Sequence, residues 1–300
     1  MHLHRDWSQE GAPERARTHA ALLSRLESLF PSHENRTGIR VLVPGAGAGR
    51  LAHDIAALGF ATTAVDVSCT LATAAASMFS AGCDSANNVV ELATVESGAA
   101  ESRGAGVGNV TVCPFLDVTS NLRSCRSRVR CSHVPDTLPT CPSSLVYRVS
   151  SLEEMRRFVQ EGCEAPFDVV VTLFFFDVPR DPLATAASIG QLLQTNGLWL
   201  NLGPLQYHTS ILPKEDQSDM PSSPPAVHLT AEQVALLLMS SVFDNAGGPG
   251  WDVQTVEELE CTYFPQPGRS MAQHGDTVCM FWEVRWTDGG SPHRASVGAK

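Results

Sequence analysis

Arg40–Asp66, RVLVPGAGAGRLAHDIAALGFATTAVD, is the stretch that decides the fold. The apolar run Val41–Val43 reads as a buried strand, and Pro44-Gly45-Ala46-Gly47-Ala48-Gly49 as a glycine turn. Leu51–Leu58 has helical patterning, Gly59 breaks it, and a second apolar run ends at Asp66. Strand, glycine turn, helix, strand and acid in that order make a site for an adenosyl or dinucleotide ligand. Glycines let the backbone approach a ligand with no Cβ in the way. The helix start beyond them presents unpaired N–H groups. An acid closing the second strand can accept hydrogen bonds from both ribose hydroxyls. Gly45 and Asp66 lie 21 positions apart, near the roughly 20 such sites use.

Outward from this unit, Ala16–Leu29 has helical spacing, so a helix precedes the first strand. Leu71–Phe79 is an alanine-rich helix, 82–108 is loop, and Asn109–Cys113 is a short β-type run. From Asp117 to Pro166 the chain is polar, with one helix at Leu152–Gln160 opened by a capping box, Ser151 and Glu154. A connection of that length reads as an insertion over 117–166. Phe167–Phe176 suits a strand buried on both faces, with Asp177 at its end. A helix follows at Pro182–Leu193, then a turn at Asn196-Gly197 and a strand at Leu198–Leu202. Thr230 caps a helix over 230–242. Trp251–Phe264 and Thr277–Trp286 read as a paired hairpin, and 287–300 as a flexible tail. The pattern predicts one doubly wound α/β domain over 1–300, with an N-terminal helix and a C-terminal β-hairpin.

The composition narrows the function. A net charge of −11, from 21 basic and 32 acidic side chains, argues against a nucleic-acid binder. The local arginine run Arg123, Arg126, Arg128 and Arg130 reads as a solvated loop. Nine cysteines without a C-x-x-C pair, and MHLHRDWSQEG without a leader pattern, predict reduced thiols and a cytoplasmic, also nuclear, location. Cys125, Cys131, His133 and Cys141 match no zinc spacing, so no metal is expected. The longest apolar run, Val169–Phe176, has 8 residues against the roughly 20 of a membrane helix, so no membrane partner is expected either.

The glycine loop leaves three readings. A nicotinamide site wants G-x-G-x-x-G, whereas Gly45-Ala46-Gly47-Ala48-Gly49 fits the looser x-G-x-G-x-G of methyltransferases. The third reading is a turn with no ligand. The tail favours the second, because about a hundred residues follow Leu202 and they read as helix plus hairpin rather than as a second catalytic domain. The cofactor expected on this pattern is S-adenosylmethionine, in a single Rossmann-like class I methyltransferase domain.

Four islands then carry a more specific likeness: Arg5-Asp6-Trp7-Ser8 with Glu14-Arg15; Leu42–Gly47 running through Gly49–Ala52 to Leu58-Gly59; Phe174-Phe175-Phe176-Asp177; and Asn201-Leu202-Gly203-Pro204-Leu205-Gln206-Tyr207-His208. Thr262-Tyr263 is a weaker fifth. In these residues the chain resembles the carnosine N-methyltransferase family. The resemblance implies that Arg5 and Gly45, with Gly47 in the same loop, contact S-adenosylmethionine, and that Asp66 stands in for a family glutamate on the ribose. It implies that Asp177, His208 and Tyr263 hold a small peptide substrate, and that a methyl group moves onto an imidazole nitrogen of carnosine or a related histidine peptide. Read from the residues alone, Asp177 also serves as a strand-ending acid, His208 as a loop histidine and Tyr263 as strand packing. Trp7 reads as a packing anchor.

The chain departs from the family in places. Where relatives have Gly-Asp-Phe on the adenine side, it has Cys113-Pro114-Phe115, keeping Phe115 but losing the acid and, at Pro114, a backbone N–H. His2 stands where a glutamine is expected, and Val67 where a tryptophan is. These differences keep open a binding module of the same fold without catalysis, and a protein-histidine methyltransferase; a nicotinamide oxidoreductase is the remotest alternative. A homodimer is compatible with all of them.

Overall fold

The computed structural model describes residues 2–9, 11–80, 110–112, 132–134, 142, 144–207, 226–239, 250–262 and 276–287. In chain order the elements are α1 (His2–Trp7), α2 (Ala12–Arg17), α3 (His19–Leu29), α4 (His33–Arg36), β1 (Arg40–Pro44), α5 (Arg50–Ala57), β2 (Ala61–Asp66) and α6 (Cys69–Ser80). They continue with β3 (Val110–Val112), β4 (Ser132–Val134), β5 (Leu145–Val149), α7 (Leu152–Gln160), β6 (Phe167–Leu173), α8 (Pro182–Leu192), β7 (Leu193–Gly203), α9 (Ala231–Met239), β8 (Gly250–Thr262) and β9 (Asp276–Thr287). Seven strands form one mixed sheet in the order β5-β2-β1-β6-β7-β9-β8, and β3 and β4 form a separate antiparallel pair. Parallel strands joined through helices and closed by the two C-terminal strands give the doubly wound α/β class that the sequence pattern predicts.

One expectation is corrected. The sequence reading treats 117–166 as an insertion and Asn109–Cys113 as a short β-type run. The structure instead sets β5 parallel to β2, Thr62 opposite Leu145 through Asp66 opposite Val149, and leaves β3 to pair with β4. Five residues among polar neighbours are too short for hydrophobic periodicity to register, although Leu145-Val146-Tyr147-Arg148-Val149 is rich in strand-favouring side chains.

Contacts divide the chain into two compact units. The first comprises Met1–Gly38, Gly45–Ser150 and Cys261–Thr277; the second comprises Ile39–Pro44, Ser151–Glu260 and Val278–Lys300. In the first, α3 buries Leu22 and Leu26, and α5 buries Leu51, Ala52, Ile55 and Ala56. The helix expected over 16–29 is two helices, breaking at Thr18, whose hydroxyl donates to the Glu14 carbonyl. Gly49 begins α5 with φ +83°, and a Cβ there would stand 2.7 Å from the Phe79 ring and 3.2 Å from Ala75 Cβ. Left-handed strain and overpacking add at this position, so Gly49→Ala is expected to destabilise the protein by about 3 kcal/mol, read as a lower urea midpoint at unchanged slope.

A charged cluster joins α3 to α5. Arg50 Nε donates to both oxygens of Asp54 (3.0 and 3.1 Å), and His53 Nδ1 lies 3.1 Å from Asp54 Oδ1. His19 Nδ1 is 3.9 Å from Asp54 Oδ2. Burial favours protonated Asp54, but His19, His53 and Arg50 outweigh it and hold the carboxyl well below its usual range. For His19 burial dominates over the attraction of Asp54 and Asp6, so its pKa is lowered and the ring is neutral in the fold. Unfolded, the same histidine takes up a proton near pH 6.5. The unfolded chain therefore binds more protons, and stability from His19 is present above that pH and lost as pH falls below it. Thermal unfolding from pH 7.5 to 5.5 is expected to show a falling midpoint, with a flatter slope in His19→Asn.

In the second unit β1 and β6 run parallel, with Val41 opposite Val169; β6 and β7 run parallel, and β7 and β9 antiparallel. The Arg40 N–H donates to Asp168 Oδ2 (2.7 Å), and its guanidinium pairs with Glu164 and lies 4.8 Å over the Phe167 ring. The predicted capping box forms at Ser151 and Glu154, and Asp181 caps α8 ahead of Pro182. β7 begins at Leu193, earlier than its apolar run suggests. The predicted turn at Asn196-Gly197 is a bulge against β6, with Asn196 at φ +65°. Phe176, Trp199 and Trp282 meet with ring centroids 5.0–5.7 Å apart and fill the core. Among the described residues no helix is long and apolar enough to cross a membrane.

Candidate active site

The predicted residues fall in two groups, one in each unit. In the first unit the turn after β1 carries Gly45, Gly47 and Gly49 at φ +65°, +57° and +83°, values that a residue with a Cβ resists. At Gly47 conformation rather than crowding demands glycine, since a Cβ there would meet nothing closer than His2 Nδ1 at 3.7 Å. The turn is tied down group by group. Ala46 N–H donates to the Val65 carbonyl (3.0 Å), Gly47 N–H to Asp66 Oδ2 (2.9 Å) and Gly49 N–H to the Ala46 carbonyl (2.9 Å). The Ala48 carbonyl accepts from Trp7 Nε1 (2.8 Å), and the Gly47 carbonyl from the Tyr147 hydroxyl (2.6 Å).

Asp66 ends β2 and organises both sides of itself. Its Oδ1 accepts the Ser68 N–H (2.8 Å) while Oδ2 accepts that of Gly47. An ionised carboxylate has about four acceptor sites, so two backbone donors leave room for a vicinal diol. This donor and acceptor set fits the ribose of an adenosyl ligand.

Arg5 is close to the loop through a neighbour. Its Nε donates to Asp6 Oδ1 (2.6 Å), and Asp6 Oδ2 lies 4.0 Å from where a Cβ on Gly47 would stand. Asp6 is buried; burial alone would raise its pKa, and Arg5 outweighs that and lowers it. Trp7 is buried too, T-shaped against His53 and Phe79, with Arg50 stacked 4.9 Å above it. It is the packing anchor that its sequence context suggests, and it also grips the loop. Tyr147 is the contact to the glycine loop that sequence reading missed, because its strand was assigned to the insertion.

In the second unit Asp177 lies beyond β6 with 3% of its surface exposed. Its Oδ2 accepts the Gln206 N–H (3.1 Å), joining the end of the Phe-Phe-Phe-Asp island to the Asn-Leu-Gly-Pro island. The latter motif is largely architectural. Asn201 accepts from Thr172 Oγ1 (2.8 Å) and donates to the Met280 carbonyl (3.1 Å). Gly203 leaves room for the Phe174 backbone, whose N and Cα would lie 3.1 and 3.2 Å from an added Cβ. Tyr207, at φ +50°, donates to the Leu229 carbonyl (2.9 Å) and stacks on His228. The cap of α8 is Asp181, whose Oδ1 accepts the Ala184 N–H (3.0 Å).

His208, Tyr263 and Phe115, with Pro114 and the arginine run 123–130, lie outside the described residues. Among the described residues no group of three or more His, Cys, Asp or Glu is placed to hold a metal ion.

The sequence profile of carnosine N-methyltransferases matches residues 1–92 and 104–288. The chain belongs to the carnosine N-methyltransferase family. Relatives bearing that name include one from Schizosaccharomyces pombe, 32% identical over 243 residues, covering 80% of this chain and 59% of the relative. Another from Dictyostelium discoideum is 27% identical, covering 80% and 46%, and one from Mus musculus is 27% identical, covering 70% and 47%. The chain thus spans about half the length of the curated relatives it matches.

Proposed function

We propose that this family member is an S-adenosylmethionine-dependent N-methyltransferase whose acceptor is an imidazole nitrogen of carnosine or a related histidine-containing peptide. The observation that carries the reading is Asp66, joined to the positive-φ glycine loop and keeping acceptor capacity for a ribose. Bound S-adenosylmethionine would supply an electrophilic methyl group on a sulfonium sulfur. Asp66 would hold the ribose diol, the Gly45–Gly49 turn would let the cofactor approach the backbone without side-chain obstruction, and Arg5 would brace the site through Asp6.

Methyl transfer is an in-line displacement, so the chain's work is positioning and keeping the nucleophile unprotonated. A free imidazole has a pKa of roughly 6.5 and is mostly neutral at pH 7. Asp177 accepts a hydrogen bond from the ring N–H that does not attack. This fixes the tautomer and stabilises the positive charge developing on the ring, as a carboxylate does behind a metal-bound histidine. The family resemblance implies that His208 and Tyr263 would orient the peptide by hydrogen bonding and that Phe115 would contact the adenine side.

Pro114, where the family pattern has an acid, favours a second reading in which the fold binds a partner without catalysis. Calorimetric titration separates the two: S-adenosylmethionine is expected to bind with a stoichiometry of one and NAD not to bind. Absence of heat with S-adenosylmethionine would remove the enzyme reading.

A further inference from the structure

We propose that Tyr147 is a positioning residue that holds the cofactor loop in its binding conformation, through the hydrogen bond from its hydroxyl to the Gly47 carbonyl. The proposal rests on the reading of that loop as the S-adenosylmethionine site.

The loop is Gly-Ala-Gly-Ala-Gly, the composition with the most backbone freedom to lose, and three of its five residues sit at positive φ. Its conformation must therefore be imposed by groups outside it. Asp66 fixes the N–H of Gly47, and without Tyr147 the carbonyl of the same residue has no such tie. The two bonds hold the peptide groups on either side of the Gly47 Cα, one from the end of β2 and one from β5. The strand register places Tyr147 opposite Ala64, two residues before Asp66, so both anchors come from one parallel strand pair.

The hydroxyl bond spans 100 positions of sequence, and at 2.6 Å it is short for a neutral donor. Burial, with Asp66 and Asp6 nearby, raises the phenol pKa, so the group keeps its proton and remains a donor throughout the neutral range. The ring also has a packing role, 6.5 Å from Phe79, which an isosteric replacement preserves.

Tyr147→Phe isolates the hydroxyl. With the full chain, the expected result is an S-adenosylmethionine affinity weaker by about five- to tenfold, the usual effect of losing one hydrogen bond. A matching rise in cofactor KM is expected, with kcat and the KM of the peptide acceptor within about twofold. In cofactor-free protein, amide hydrogen exchange across 45–50 is expected to quicken about tenfold while that of β6 and β7 is unchanged. Val146→Thr, an exposed change one residue away on the same strand, should alter none of these.

Unchanged affinity and unchanged loop exchange in Tyr147→Phe would overturn the assignment. So would weakened affinity with an unaltered loop, or a loss spread evenly over the whole protein. If the unsubstituted protein itself fails to bind S-adenosylmethionine, the cofactor reading falls and this proposal with it. Binding by the unsubstituted protein that Tyr147→Phe equals removes only the Tyr147 assignment.

Discussion

Asp66→Ala is expected to weaken S-adenosylmethionine binding by at least about a hundredfold. Two effects add. A hydrogen bond to a charged acceptor contributes about 1.5–3 kcal/mol, and the alanine variant loses those to both ribose hydroxyls. It also releases the Gly47 and Ser68 N–H groups that the carboxylate holds at 2.9 and 2.8 Å, so the loop loses one of its fixed ends. Asp66→Asn should recover only part of the affinity, since its amide has one acceptor oxygen where the carboxylate offers two. Asp66→Glu should recover more, because it restores a carboxylate, the group that the family likeness places on the ribose. Titration calorimetry on the three variants checks the order. An alanine variant that binds as tightly as the parent protein would withdraw Asp66 from the site.

The second large effect is expected at Asp177. Asp177→Asn keeps the shape and an oxygen for the Gln206 N–H but loses the charge opposite the developing imidazolium. A fall in kcat of about a hundredfold with carnosine is expected, of the size seen when one preorganised electrostatic group is removed from a reacting site. Cofactor affinity should be unaffected. In the unsubstituted protein the rate should rise with pH through the acceptor's pKa of roughly 6.5 and then level off, since only the neutral ring attacks. Undiminished methylation by Asp177→Asn would show that this buried acid serves the fold and not the reaction.

The two residues entered from the sequence by different routes. Gly45–Asp66 is a local pattern, set by a tight turn and the strands beside it, so its spacing marks Asp66 as a ribose candidate. Asp177 ends a continuous apolar strand, a place a strand-ending acid also takes, and only the family resemblance points it to the substrate. The alternation of helix and strand likewise gave the doubly wound class. What escaped were features made by distant pairing. Tyr147 meets Gly47 from 100 residues away, and nothing in Leu145–Val149 marks a five-residue strand as the neighbour of β2. The Asn201–Gln206 stretch shows the reverse case. It is a conspicuous sequence motif, yet Asn201, Gly203 and Gln206 are explained by bonds to Thr172 and Met280, by room for Phe174, and by a bond to Asp177. A distinctive motif here records packing as much as chemistry.

The most direct test of the account is to incubate the protein with S-adenosylmethionine and carnosine and locate the added methyl group by fragmentation mass spectrometry. The account predicts one methyl group on an imidazole nitrogen, formed only when both reactants are present. Tight cofactor binding with no methylated product, or a methyl group on the amine or carboxylate of the peptide, would contradict it.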